Sequence, residues 1–141
     1  MTYRPSMDMR YLWQWINARP PVLNVGCETD PVGFSTLPGT VNMDIDDWAG
    51  RTPCFSRWDA CRAPWPFANG EFDTVVLGDS LDHMDRPSIA LAEARRVGRR
   101  AIVVTLPADV PALDDWEKHV EDLRGMGLRE TAPGDLCHWH G

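Results

Sequence analysis

Two nearly unbroken apolar runs, Phe72-Asp-Thr-Val-Val-Leu-Gly at 72–78 and Ala-Ile-Val-Val-Thr-Leu at 101–106, constrain the fold of this chain most. A strand with one face in water alternates apolar and polar residues. A run apolar at almost every position fits a strand covered on both faces, the usual state of a parallel sheet wrapped by helices. Between the two runs lies one helix-length segment. Pro87 opens it, where a missing N–H costs nothing, and Gly98 closes it after Val97. Strand, helix and strand in this order give a right-handed crossover between parallel strands.

The chain before these runs continues the pattern with shorter elements. Residues 8–18 read as a helix, capped by Asp8 and stopped by Pro20-Pro21, with Met9, Leu12, Trp13 and Ile16 on one face. Pro-Val-Leu-Asn-Val-Gly at 21–26 reads as a strand with an abrupt glycine end. Val-Asn-Met-Asp-Ile-Asp at 41–46 is a second strand ending in acids, and Cys54–Trp58 a weaker third. Between the first two strands, Cys27 to Thr40 carries Pro31, Gly33, Pro38 and Gly39, too many breaks for a crossover helix. A last helix is expected from Pro111 to Arg124, capped by Asp109, with Leu113, Trp116, Val120 and Leu123 in one stripe. Gly127–Ala132 offers one final strand. The sum is an α/β fold with a mostly parallel sheet. With no repeat, low-complexity tract or linker, residues 1–141 read as a single domain, long enough to bury a core.

Composition excludes several functional classes. No apolar run approaches the length of a membrane span, and the N-terminal stretch lacks a secretory pattern, so a cytoplasmic protein is expected. A net charge of −7 argues against a broad nucleic-acid surface. Arg57, Arg62 and the group Arg95-Arg96, Arg99-Arg100 are the candidates for a local basic patch, and they read as a solvated or ion-paired face. The seven tryptophans lack interleaved basic residues, so packing is their expected use. Four cysteines stand without CxxC spacing. Cys137, His138 and His140 cluster at the C-terminus without a partner pair at ligand spacing. They read as a loosely held surface tail, and no metal site is expected.

In open α/β sheets, ligands bind beyond the carboxyl ends of the central strands. Gly26-Cys27-Glu28-Thr29-Asp30 follows the first strand, and Asp44, Asp46 and Asp47 end the second. Asp59-Ala60 follows the third, and Gly78-Asp79-Ser80-Leu81-Asp82-His83 the fourth. A glycine lets backbone approach a ligand closely, and a carboxylate about 18 residues on can accept two hydrogen bonds from a ribose diol. Each acid can equally cap a turn or helix. His83 is a candidate general base, or a residue that orients substrate or structure.

Order and spacing together carry a resemblance. The run Val-Leu-Asn-Val-Gly-Cys (22–27), then Val-Asn-Met-Asp-Ile-Asp (41–46) and Trp-Asp-Ala (58–60), resembles class I S-adenosylmethionine-dependent methyltransferases. So does Pro-Trp-Pro-Phe-Ala-Asn-Gly-Glu-Phe-Asp-Thr-Val-Val-Leu-Gly-Asp-Ser-Leu-Asp-His (64–83) with the helix after it. The likeness covers about residues 20–107 and is nearest the type 11 group, in particular members whose first crossover helix is replaced by a short loop. It implies a Rossmann-like methyltransferase fold, minimal and C-terminally truncated, with little chain for the family's antiparallel hairpin and none for a substrate lid.

By the same resemblance, Gly26 and Cys27 lie against the methionine end of S-adenosylmethionine. Asp44 holds the ribose hydroxyls and Ile45 packs on the adenine. Asp59 takes the adenine amino group, Ala60 donates backbone hydrogen bonds, Asp79 lies near the amino-acid end, and His83 faces the substrate. The implied activity is methyl transfer to an acceptor the sequence does not identify, with a homo-oligomer or partner protein supplying substrate surface. The chain departs from the family where glycines are expected, at Glu28 and Asp30. Acidic side chains there would crowd or repel the amino-acid end of a cofactor. That departure leaves an alternative open, a methyltransferase-like binding or regulatory module without catalysis.

Overall fold

The computed structural model describes residues 7–78, 80, 83–106, 124–125, 129–130 and 137–140, with side chains over 11–78, 80, 83–100 and 124–125. Helix α1 (Met7–Asn17) leads into strand β1 (Val22–Val25). A 3-10 turn, Phe34–Thr36, precedes β2 (Val41–Asp44) and β3 (Phe55–Arg57). Then come β4 (Phe72–Gly78), α2 (Pro87–Val97), β5 (Gly98–Leu106), β6 (Arg129–Glu130) and β7 (Cys137–His140). The helix expected over 111–124 lies outside the described residues, except for Arg124.

The seven strands of the described residues join one sheet in the order β3-β2-β1-β4-β5-β7-β6. The first five are mutually parallel, and β7 runs antiparallel to both β5 and β6. This is the Rossmann-like α/β architecture that the interleaved runs implied. Strand order reverses between β1 and β4, so the chain leaves their carboxyl ends in opposite directions and opens a crevice there.

Burial explains why 72–78 is so apolar. Leu23, Val25, Val75 and Leu77 face α2, where Ala90, Leu91, Ala94 and Val97 form a helical stripe and Trp65 and Phe72 close the layer. Val22 and Val76 face the other way, against Phe34 with Ala18, Val32 and Leu37 around it. Period-two alternation thus feeds two cores. Phe34, fully buried and stacked on Trp15 with ring centroids 6.0 Å apart, fills the space a crossover helix would otherwise occupy. The broken segment is a loop, as its prolines and glycines required.

Four details differ from the sequence reading. Asp8 falls inside α1 and not at its cap. Leu12 and Ile16 are more than half exposed while Gln14 is buried, so the apolar face of α1 is not the one turned inward. Gly98 is extended (φ −88°, ψ 137°), so the helix runs straight into β5, which starts there and not at Ala101. Cys137–His140 is no loose tail: it forms β7 between β5 and β6, and a short antiparallel pair completes the sheet. No helix among the described residues is long and apolar enough to cross a membrane.

The loop from Pro64 to Gly70 is fastened by charge. The buried Glu93 carboxylate accepts from Trp65 N–H at 2.6 Å and from Arg96 Nε at 2.7 Å. Arg96 also donates to Phe67 O, Asn69 Oδ1 and Trp65 O. Arg100 pairs with Asp73 at 3.0 Å. Arg96 and Arg100 of the clustered arginines are therefore spent on internal pairs.

Two outcomes follow. Removing residues 136–141 deletes a strand hydrogen-bonded on both sides, and the melting temperature read by circular dichroism should fall by about 10 °C or more. The Arg96 hydrogen bond holds Glu93 below its ordinary pKa, so its stabilisation is present above the unfolded value and lost as pH falls through the folded one. Glu93→Gln should lower stability at pH 7 by about 1–2 kcal/mol and flatten the loss that sets in as pH falls below the unfolded glutamate value of about 4.3, read by urea titration.

Candidate functional site

The crevice beyond β1 and β4 holds a cavity of about 440 Å³. Gly26, Cys27 and Glu28 line it from β1, Asp44 and Ile45 from β2, and Trp58, Asp59 and Ala60 from β3. Gly78, Ser80 and His83 line it from β4, and Tyr11 and Gln14 from α1. Of the site residues that the sequence singled out, Gly26, Cys27, Glu28, Asp44, Ile45, Asp59, Ala60 and His83 lie on this one surface, Asp30 does not, and Asp79 is outside the described residues.

The turn after β1 is set by backbone geometry. Gly26 has φ +73°, and a Cβ there would stand 2.9 Å from Ser80 Cβ, so only glycine fits. Its N–H and that of Cys27 both donate to Met43 O, at 2.8 and 3.1 Å. Glu28 and Asp30 also lie in the left-handed region, at φ 47° and 59°. Glycine is the unstrained choice at both positions, and this chain keeps the same path with L-residues.

Their side chains do not behave alike. Asp30 was expected to confront a ligand, and the structure corrects this. It is buried and turned into the loop, where Oδ1 accepts from Gly33 N–H at 3.2 Å and Phe34 N–H at 3.0 Å, and Oδ2 from Ser35 N–H at 2.8 Å. Ser35 Oγ–H and Asn24 Nδ2 donate to it as well. Asn24 also pairs with Asn42 across β1 and β2 at 3.0 Å, and Asn42 returns to Ser35 Oγ at 2.9 Å. Glu28 instead lines the cavity with an exposed side chain. Its N–H donates to Asp44 Oδ2 at 3.0 Å and its carbonyl accepts from Thr52 Oγ–H.

Asp44 is nearly buried, each carboxylate oxygen accepting one backbone N–H, from Glu28 and from Asp46 at 3.0 Å. A carboxylate has about four acceptor positions, so two remain for a ligand. Ile45, beside it, is 56% exposed, an apolar surface left open on the cavity wall. Asp59 is exposed and accepts from Cys61 N–H at 2.9 Å, while the Ala60 carbonyl is taken by Trp65 Nε1–H at 2.9 Å.

Charge in the cavity has one sign. Glu28, Asp44, Asp46, Asp59 and Asp85 line it, and no lysine or arginine among the described residues does. The buried Cys27 thiol registers this: burial first, then the Asp44 charge, push its pKa up to about 12. It stays protonated at neutral pH and is no nucleophile.

Sequence reasoning missed Tyr11 and Gln14 of α1, and gave no role to Trp58 and Ser80. Gln14 is 3% exposed, and its amide crosses Gly78 so closely that a Cβ at 78 would lie 2.7 Å from Oε1. A lone polar residue in an otherwise apolar stretch, Leu12-Trp13-Gln14-Trp15-Ile16, was the available signal. The Ser80 hydroxyl is buried, with no hydrogen-bond partner among the described residues.

With this geometry in hand, the comparisons with known proteins agree on the fold. The methyltransferase domain family matches residues 48–103, less than half the chain. No curated protein matches the sequence. Among solved structures, the cyclase SpnF superposes with a TM-score of 0.65 at 19% identity over 89% of this chain, which spans 58% of that protein. A SAM-dependent methyltransferase from Archaeoglobus fulgidus gives 0.66 at 17% identity, covering 88% of this chain and 70% of that one. The Haloferax volcanii complex of a methyltransferase activator with a candidate methyltransferase gives 0.60 at 14%, over 89% and 72%. The chain has the class I methyltransferase fold, as its motifs implied.

The two acids in the turn predict opposite effects on stability. Asp30→Ala leaves four or more donors without a charged acceptor and should cost about 2–4 kcal/mol in urea unfolding. Glu28→Gly relieves a left-handed L-residue and should gain about 0.5–1 kcal/mol.

Proposed function

We propose that residues 1–141 form one S-adenosylmethionine-dependent methyltransferase domain, working in the cytoplasm on an acceptor not yet identified. The observation that carries this reading is the order of groups around one cavity: the Gly26 turn, Asp44 with two open acceptor positions, exposed Ile45, then Asp59. That series suits the amino acid, ribose and adenine of the cofactor in sequence. The cavity's volume lies in the range of about 300–1,000 Å³ typical of small-molecule sites. Gly26, at φ +73°, presents bare backbone to the cavity, which suits close approach of the methionine end.

When bound, S-adenosylmethionine supplies an electrophilic methyl group for direct transfer to a nucleophile. The residues of this chain then act by position. Asp44 fixes the ribose, Ile45 covers the adenine, Asp59 accepts from its amino group, and the backbone at Gly26, Cys27 and Ala60 shapes the floor. Asp79 completes the amino-acid end in this reading. Holding reactants in line is the main source of rate for such a transfer. His83, exposed on the cavity wall, is placed to take a proton where the acceptor must lose one. A second chain at the mouth, a copy or a different protein, would complete the substrate surface, and the activator-bound Haloferax structure is a precedent for a partner on this fold.

The acids in the turn had suggested a module without catalysis. Asp30 is turned away from the cavity and Glu28 keeps the path that glycine would take, so the turn supports binding.

Calorimetric titration with S-adenosylhomocysteine tests the reading. Wild type should bind, and a folded Asp44→Ala variant should bind about 2–4 kcal/mol more weakly through loss of two charge-assisted hydrogen bonds. Equal affinity in the two proteins would falsify the ribose role of Asp44.

A further inference from the structure

The cavity has two unlike ends. Sheet order places β2 and β3 on one side of β1 and β4 on the other. Asp44, Ile45 and Asp59 line the β2–β3 end, which suits the nucleoside. His83, Met84 and Asp85 line the end beyond β4, together with Tyr11 and Gln14 of α1. The second end is therefore the one left for an acceptor. Tyr11 and Met84 give it apolar surface, and Asp85 gives it charge. Asp85 is exposed, and no described residue pairs with its carboxylate. Arg86 beside it is exposed and does not line the cavity. Between Arg62 and Arg86 the sequence has no lysine or arginine, while Asp79, Asp82 and Asp85 all follow β4.

We propose that the methyl acceptor is an amine, which arrives as an ammonium cation and is held by the Asp85 carboxylate with its organic body against Tyr11 and Met84. This rests on the methyltransferase reading and adds a substrate class to it. A carboxylate or phosphate acceptor would enter an acidic mouth and meet no cation among the described residues. A neutral hydroxyl would gain nothing from Asp85 as an ion. An amine gains a counter-charge, so one residue both attracts the right acceptor and repels the wrong one. The field inside the cavity has the same sign: after burial, the charges of Asp44, Asp30 and Glu28 raise the Cys27 thiol. The ammonium must lose a proton before it reacts, and His83 stands on the same wall to take it. The freed nitrogen lone pair then forms the N–CH3 bond as the S–CH3 bond breaks. The pair from the broken bond stays on sulfur as a neutral thioether, and the acceptor leaves as an N-methylammonium ion.

Calorimetry on protein first saturated with S-adenosylhomocysteine tests this with three probes that share one phenylethyl body. These are 2-phenylethylamine, 2-phenylethanol and 3-phenylpropionate. The amine should bind about fivefold tighter than the alcohol, and the acid should bind weakest. Asp85→Asn should lose about fivefold for the amine and stay within about twofold for the alcohol. Its melting temperature and its affinity for S-adenosylhomocysteine should match wild type. Asp85→Lys should invert the order, with the acid bound tighter than the amine. Three results overturn the inference: no binding of the amine, equal wild-type affinity for amine and alcohol, or an amine preference that survives Asp85→Asn. In each of them, retained binding of S-adenosylhomocysteine leaves the methyltransferase reading standing. Failure of S-adenosylhomocysteine itself to bind overturns both.

Discussion

The carboxylate of Asp30 holds the β1–β2 half of the sheet and its covering loop together. A parallel sheet of this kind normally covers β1 and β2 with a crossover helix, whose backbone satisfies itself. Here an irregular loop takes that place, and its N–H groups need another acceptor. Asp30 supplies one for Gly33, Phe34 and Ser35, and through Asn24 and Ser35 it joins the buried amide pair Asn24–Asn42 that ties β1 to β2. With the loop pinned, Phe34 reaches the underside of Val22 and Val76 and restores the lost apolar cover. The turn that shapes the cavity floor begins at Gly26 and ends at this same residue, so loop order and site shape have one cause.

Much of the fold was legible because its signals are strongly periodic. The unbroken run at 72–78 announced burial on both faces, and the structure divides it between two cores. Pro87 and Val97 bound α2 as read, and Pro31, Gly33, Pro38 and Gly39 correctly denied a crossover helix. Other features had no local signal. Cys-His-Trp-His carries no alternation and few strand-forming residues, and it is a strand because β5 and β6 offer it a ladder on each side. In α1, periodicity marked Leu12 and Ile16, yet Gln14 is the buried residue because Gly78 leaves room for its amide.

The site shows the same division. Residue types at strand ends were readable, and the sheet brings them together whatever the loops do. Side-chain direction was not readable, because at Glu28 and Asp30 it depends on the sign of φ, which no neighbouring residue states. Shape has outlasted its residue signature in this turn. The methyltransferase domain match starts at residue 48, beyond the first two strands and their loop, although the backbone there still follows the path that glycines would take.

The wall that α1 contributes has a thermodynamic consequence. Gln14 meets the tip of β4 at Gly78 and lines the cavity, Trp15 stacks on Phe34, and Leu12 and Ile16 stay more than half exposed. A surface helix with apolar residues left in water opens at a lower free energy than the buried sheet it covers. Docking of α1 and filling of the cavity are then linked equilibria: a ligand that needs the docked wall stabilises it by RT ln(1 + [L]/Kd), and the amides of 7–17 gain exchange protection in proportion. The first helix of the chain is in that sense the part of the fold whose order reports occupancy.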